Sequence, residues 1–257
     1  MKMPLVNIFA IITAVFLLLF TYAQFKGWIQ ESTDKTIPLN IIAKDKKVVE
    51  TGAGKQNEKK VVVSEPNEIP VLVNKEFALP ENYKPTDLIY PDVPFLFDEK
   101  TEKRMLRREA AYALEKLFEA AENDGVFLAG VSAYRSYATQ KQIYQNNIQR
   151  DGLEAAKTYS ASPGTSEHET GLAIDVSGSS GICATVDCFG KTIEAEWLAN
   201  HANEHGFIIR YPEGKQKITG YKYEPWHLRY VGLDIAKKIT LQGITLEEYM
   251  NVVPVMK

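Results

Sequence analysis

Apolar and polar positions divide this chain into three stretches of different character. Residues 5–22 are apolar apart from Asn7, Thr13 and Thr21, with Lys2 ahead of them. The run shows no polar face, and its length approaches the ~20 residues that carry a helix across a bilayer. It predicts a transmembrane anchor or signal peptide over residues 1–26, and Tyr22 with the long apolar stretch favours retention over cleavage. Residues 27–75 mix Lys44, Lys46, Lys47, Lys55, Lys59 and Lys60 with Gly, Asn and Glu. Their apolar patches at 61–63 and 71–73 are too isolated to make a core. A flexible extracytoplasmic linker is expected, and the interspersed acids favour a solvated tether over a lipid-binding patch.

From residue 76 the pattern is that of a folded domain, assigned to 76–257. A proline-containing approach over residues 79–94 is expected to wrap its surface. Met105, Leu106, Ala110, Ala113, Leu114, Leu117, Phe118 and Ala121 then recur at helical spacing and predict a helix over 102–123, stopped by Asn123-Asp-Gly125. A short strand over 126–131 leads into Ser132-Ala-Tyr-Arg135-Ser136, and Ser136 is placed to cap a helix over 137–149. Leu172, Ile174 and Val176 alternate with Gly171, Ala173 and Asp175, as in a strand that buries its aliphatic face. Another helix is expected over 193–204.

Composition changes this picture little. The chain is 45% hydrophobic and 25% charged, which is ordinary for a globular protein. Its net charge of −3 argues against a nucleic-acid partner, which calls for a basic excess. The sequence does not fix the oligomeric state, and a monomer is the expected one. Cys183 and Cys188 pair if the domain is exported, or stay as free thiols if it is not.

The candidate chemistry lies in two segments, Ser166-Glu-His168-Glu-Thr-Gly171-Leu-Ala-Ile-Asp175 and Glu224-Pro-Trp-His227. Gly171 allows the loop that carries His168 to fold back towards Asp175. Two imidazoles and one carboxylate form the ligand set of a catalytic zinc, which keeps a fourth position for water, although such a set also suits iron. Glu224 is the candidate general base. Residues three apart in a straight strand point to opposite faces, so Glu224 and His227 predict a strand distorted at Pro225. His201 and His205 have a spacing that can also share a metal. However, Ala202 stands where the zincin pattern needs Glu, and the structural reading is preferred.

The motifs Ser-x-His-x-x-Gly-x-Ala-x-Asp and Glu-x-x-His, with Ser-Ala-Tyr-Arg-Ser upstream, resemble those of the VanY-type D-alanyl-D-alanine carboxypeptidases of peptidase family M15. The resemblance covers roughly residues 76–240. It implies an α+β fold of the hedgehog/DD-peptidase kind, with a small antiparallel sheet flanked by helices. It also implies a Zn2+ enzyme outside the cell membrane that trims terminal D-alanine from peptidoglycan stem peptides. Arg135 then grips the substrate's free carboxylate, which a guanidinium binds through two parallel hydrogen bonds. Gln140 and Ser166 match positions that line the substrate pocket, and Tyr211 in Arg210-Tyr-Pro borders it. An L,D-carboxypeptidase, a D,D-dipeptidase and a non-catalytic zinc module that binds wall peptides remain as alternatives.

Overall fold

The structure, a computed structural model, describes residues 60–252. The expected membrane segment and most of the expected linker lie outside these residues. Among the described residues no helix is long and apolar enough to cross a membrane.

Two short strand pairs precede the main sheet. β1 (Val61–Val62) pairs in parallel with β2 (Phe77–Ala78), and β3 (Leu88–Ile89) pairs antiparallel with β4 (Leu106–Arg107). The main sheet contains β5 (Leu128–Ser132), β6 (Ala173–Gly178), β7 (Phe207–Tyr211) and β8 (Glu224–Tyr230), all antiparallel in the order β5-β6-β8-β7. Leu172, Ile174 and Val176 enter the core, as their alternation predicts. They meet Leu114, Leu117, Phe118 and Ala121 of α1 (Arg108–Asn123). Each such aliphatic contributes about 1.5–3 kcal/mol by leaving water. The opposite face of β6 carries Asp175, so packing one face of the strand aims the other at the site.

α2 (Tyr137–Asp151) starts where expected, with the Ser136 hydroxyl accepting the Thr139 amide at 3.3 Å. It runs slightly beyond residue 149, and α3 (Leu153–Tyr159) follows after Gly152. α4 (Ile193–His201) adds Ala195, Trp197 and Leu198 to the core. The last turn of the expected 193–204 helix tightens to 3-10 geometry over Ala202–His205 and ends at Gly206, φ +82°. A one-turn helix, α5 (Gln216–Thr219), lies between β7 and β8. A smaller apolar cluster joins Leu72 and Ile208 to Ala236 and Ile239 of α6 (Leu233–Gln242) and Leu246 of α7 (Leu246–Tyr249).

Three expectations need correction. The helix predicted over 102–123 begins at Arg108: Leu106–Arg107 is drawn into β4, and the Arg107 amide donates to the Gly171 carbonyl at 2.8 Å. Tertiary pairing overrides helical periodicity there. The linker expected to reach residue 75 does not extend through 61–75. Val71 and Val73 are buried in the main core, and Val61–Val62 finds a strand partner sixteen positions away at Phe77–Ala78. The approach over 79–94 also does more than wrap a surface, since it supplies β3 and the buried Val93. Cys183 and Cys188 form a disulfide with Cα atoms 5.5 Å apart.

Candidate active site

Gly171 makes the first half of the site possible. Its φ is +68°, and a Cβ there would come within 2.9 Å of Leu88 Cδ2 and 3.0 Å of Arg107 Cγ. The 3-10 turn Glu167–Thr170 thus folds tightly onto β4 and carries His168 back over the sheet. His168 Nδ1–H donates to the Ala133 carbonyl at 2.7 Å, which leaves Nε2 as the free nitrogen, 3.4 Å from Asp175 Oδ2.

The second half comes from strand pairing. Asp175 on β6 stands directly opposite His227 on β8, and His227 Nδ1 lies 3.1 Å from Asp175 Oδ1. The predicted distortion at Pro225 is present. Tyr211 pairs with Glu224, although an even register continued from the Ile209–Leu228 pair would set it against Trp226. This bulge brings Glu224 Oε2 to 3.9 Å from His227 Nδ1. His168, Asp175 and His227 each offer a ligand atom, all within 4.8 Å of one another, and all three residues are buried. Tetrahedral zinc bonds of about 2 Å put their donors roughly 3.3 Å apart, and three donors within 4.8 Å of one another are close enough for one ion to draw together.

The two imidazoles differ in their electrostatics. Burial, aided by Arg135, pushes the His168 imidazole down to about 4, so its ring is neutral with a lone pair available. Burial alone would also lower His227, but the Asp175 and Glu167 carboxylates at its two nitrogens push it up to about 9. Asp175 is buried, which favours its neutral form, yet His168, His227 and Arg135 hold it well below the usual carboxylate range. Glu224 behaves oppositely: burial outweighs His227 and pushes its carboxyl up to about 7, a useful value for a group that takes and returns a proton near neutrality.

The remaining predicted residues are distributed around this centre. Arg135 Nη2 donates to Asp175 Oδ2 at 2.8 Å and its Nε to Ser132 Oγ at 3.0 Å, so its guanidinium sits against the ligand set. Gln140 is buried, with Nε2 donating to the Ala161 carbonyl at 2.8 Å and Oε1 lacking a partner. Ser166 is buried immediately before the 3-10 turn. Tyr211 lays its ring against His227, with centroids 4.9 Å apart. His201 stacks on Trp197 and pairs with Glu204 at 3.5 Å, and neither it nor His205 belongs to the ligand group.

The sequence reading missed the floor of the site. Glu167 is fully buried and accepts from Arg210 Nε at 2.7 Å and Arg229 Nη1 at 2.6 Å. Burial works to raise its pKa, but the two guanidiniums hold it well below the ordinary value. Arg210 is in turn held by Glu247 through two bonds of 2.9 and 2.6 Å. One signal was available: Arg229 stands two residues beyond His227 on a strand, hence on the same face.

Comparison with known proteins agrees with this geometry. The family described as VanY: D-alanyl-D-alanine carboxypeptidase matches residues 103–233. A putative carboxypeptidase, YodJ, of Bacillus subtilis (strain 168) is 50% identical over 189 residues, which is 74% of this chain and 69% of that protein. Among solved structures, the LdcB LD-carboxypeptidase superposes with a TM-score of 0.73 at 48% identity, covering 78% of this chain and 94% of the other. A VanY from the VanB-type resistance cassette, solved with Zn(II), gives 0.59 at 35% identity, covering 71% and 99%. A family match spanning half the sequence, joined to likeness at this level in both sequence and fold, makes the chain a carboxypeptidase and a member of the VanY D-alanyl-D-alanine carboxypeptidase family.

Proposed function

We propose that this protein is a zinc-dependent carboxypeptidase that removes the C-terminal D-alanine from peptidoglycan stem peptides. The observation that carries this reading is the convergence of His168, Asp175 and His227 within 4.8 Å, with Glu224 beside them. His168 Nε2, His227 Nδ1 and an Asp175 oxygen would hold the ion. Zinc bound there supplies Lewis acidity, polarising a carbonyl and making a water more acidic. Glu224 takes the proton of the attacking water and returns it to the leaving amine. Arg135, at the edge of the ligand set, binds the terminal carboxylate that distinguishes a chain end from an internal bond. Gln140 Oε1 and Ser166 contribute hydrogen bonds to the peptide, and Tyr211 forms a wall.

Two bonds are candidates for cleavage. The family description supports the D,D bond of a pentapeptide stem. The likeness to LdcB, at 48% identity, specifically favours the L,D bond of a tetrapeptide stem. Incubation with defined pentapeptide and tetrapeptide muropeptides, read by mass spectrometry, separates them. Loss of one alanine from the pentapeptide alone supports the first, and loss from the tetrapeptide alone the second. No release from either, with zinc bound, refutes both.

The working place we propose is extracytoplasmic, with residues 1–26 as a membrane anchor. The Cys183–Cys188 disulfide supports an oxidising compartment. Fractionation of cells, followed by protease shaving of intact protoplasts, tests this: a soluble or protected protein refutes it.

A further inference from the structure

Glu167 is buried beside the ligand set, yet it does not belong to it. Its two oxygens have different partners. Oε1 accepts from both Arg210 Nε and Arg229 Nη1, whereas Oε2 lies 3.5 Å from His227 Nε2. Both Oε2 and His227 Nε2 are buried, neither has a hydrogen-bond partner, and the two face each other across that gap. On the other side of the same ring, Nδ1 faces Asp175 Oδ1 at 3.1 Å. A neutral imidazole offers one N–H and one lone pair, and the hydrogen bond made by one nitrogen decides which is left to ligate.

We propose that Glu167 is a positioning residue for the metal centre: it holds the His227 proton on Nε2 and turns Nδ1 towards the cation. This role rests on the reading of His168, Asp175 and His227 as zinc ligands. The carboxylate can do this because it cannot rotate. Arg210 is fixed by Glu247, whose Oε1 also accepts from Asn74 Nδ2 at 3.1 Å. Arg229 Nη2 is fixed by the carbonyls of Ile69 and Val71 at 2.9 and 2.7 Å. The two histidines consequently present different nitrogens: Nε2 for His168, whose Nδ1–H goes to Ala133, and Nδ1 for His227. A carboxylate that served only to neutralise two arginines would need no oxygen directed at His227.

Two substitutions separate positioning from structure. Glu167→Gln removes the charge that faces His227. Glu247→Gln removes a buried charge that touches Arg210 but not His227. Zinc dissociation constants are measured by competition with a chromophoric chelator, alongside kcat and KM. Glu167→Gln is expected to weaken zinc about 10- to 100-fold and to lower kcat more than it changes KM, while Glu247→Gln, which loosens Arg210 but leaves the Glu167 charge facing His227, weakens zinc much less. Histidine-selective 15N NMR of the zinc-loaded wild type supplies a readout that does not depend on either variant folding, and it is expected to show the His227 proton on Nε2. Unchanged zinc affinity in Glu167→Gln or equal weakening in both variants overturns the role while leaving the zinc reading intact, and a His227 proton on Nδ1 overturns the role together with the choice of Nδ1 as the ligating atom. A folded wild type that takes up no zinc overturns the zinc reading, and this role with it.

Discussion

Glu224→Gln should make the protein more stable and nearly inactive, for one electrostatic reason. Glu224 is 8% exposed, and burial pushes its carboxyl from 4.5 up to about 7. A group raised in the folded state contributes its stability fully below its unfolded value, near pH 4.5, and loses it as pH rises through about 7. At about 1.4 kcal/mol per tenfold change, the ionised carboxylate above pH 7 costs roughly 3 kcal/mol. Glutamine keeps the shape and cannot ionise. In chelator-stripped protein the variant should therefore match the wild type near pH 4 and exceed it at pH 8 by up to about 3 kcal/mol, read from urea denaturation midpoints. Turnover should fall by about 10²- to 10⁴-fold, the usual contribution of general acid–base catalysis, while zinc content measured by atomic absorption stays at one per chain. A stability difference that does not grow between pH 4 and pH 8, or turnover within about tenfold of the wild type, refutes the assignment of this carboxylate as a buried base.

Other changes test separate parts of the site. Asp175→Asn removes the carboxylate shared by His168, His227 and Arg135 and should abolish stoichiometric zinc binding. In the wild type, chelation should stop hydrolysis and added zinc restore it. Arg135→Lys, which keeps the charge but loses the planar fork, should raise KM for stem peptides by about 10- to 100-fold without changing zinc content. Replacing Cys183 and Cys188 together by serine should cost about 2 kcal/mol for so short a loop, and a reductant should lower the denaturation midpoint of the wild type but not of the variant.

The proposed ligands were legible in the sequence because chemistry restricts such sets to few residue types and because Gly171 and Pro225 mark the backbone departures that bring them together. The bulge at Glu224–His227 follows from Pro225 in the same way. The ionic floor was not legible. Glu167, Arg210, Arg229 and Glu247 are each unexceptional as charged letters, and their burial exists only once β7, β8 and α7 are assembled. The same holds for Val71 and Val73, which look too few for a core until they dock on one made elsewhere. Met105 and Leu106 fit a helical repeat, but pairing of β4 with β3 is a long-range gain that local periodicity cannot weigh.

The carbonyls of Ile69 and Val71, bonded to Arg229, carry a practical lesson about where the catalytic unit can be excised. A fragment cut at residue 76, where the motif-bearing region starts, would strip two acceptors from a guanidinium with no access to water. It would also remove Asn74 from Glu247. The smallest autonomous catalytic unit should therefore start upstream of Ile69, and shorter recombinant versions should be poorly soluble even though every proposed ligand is retained.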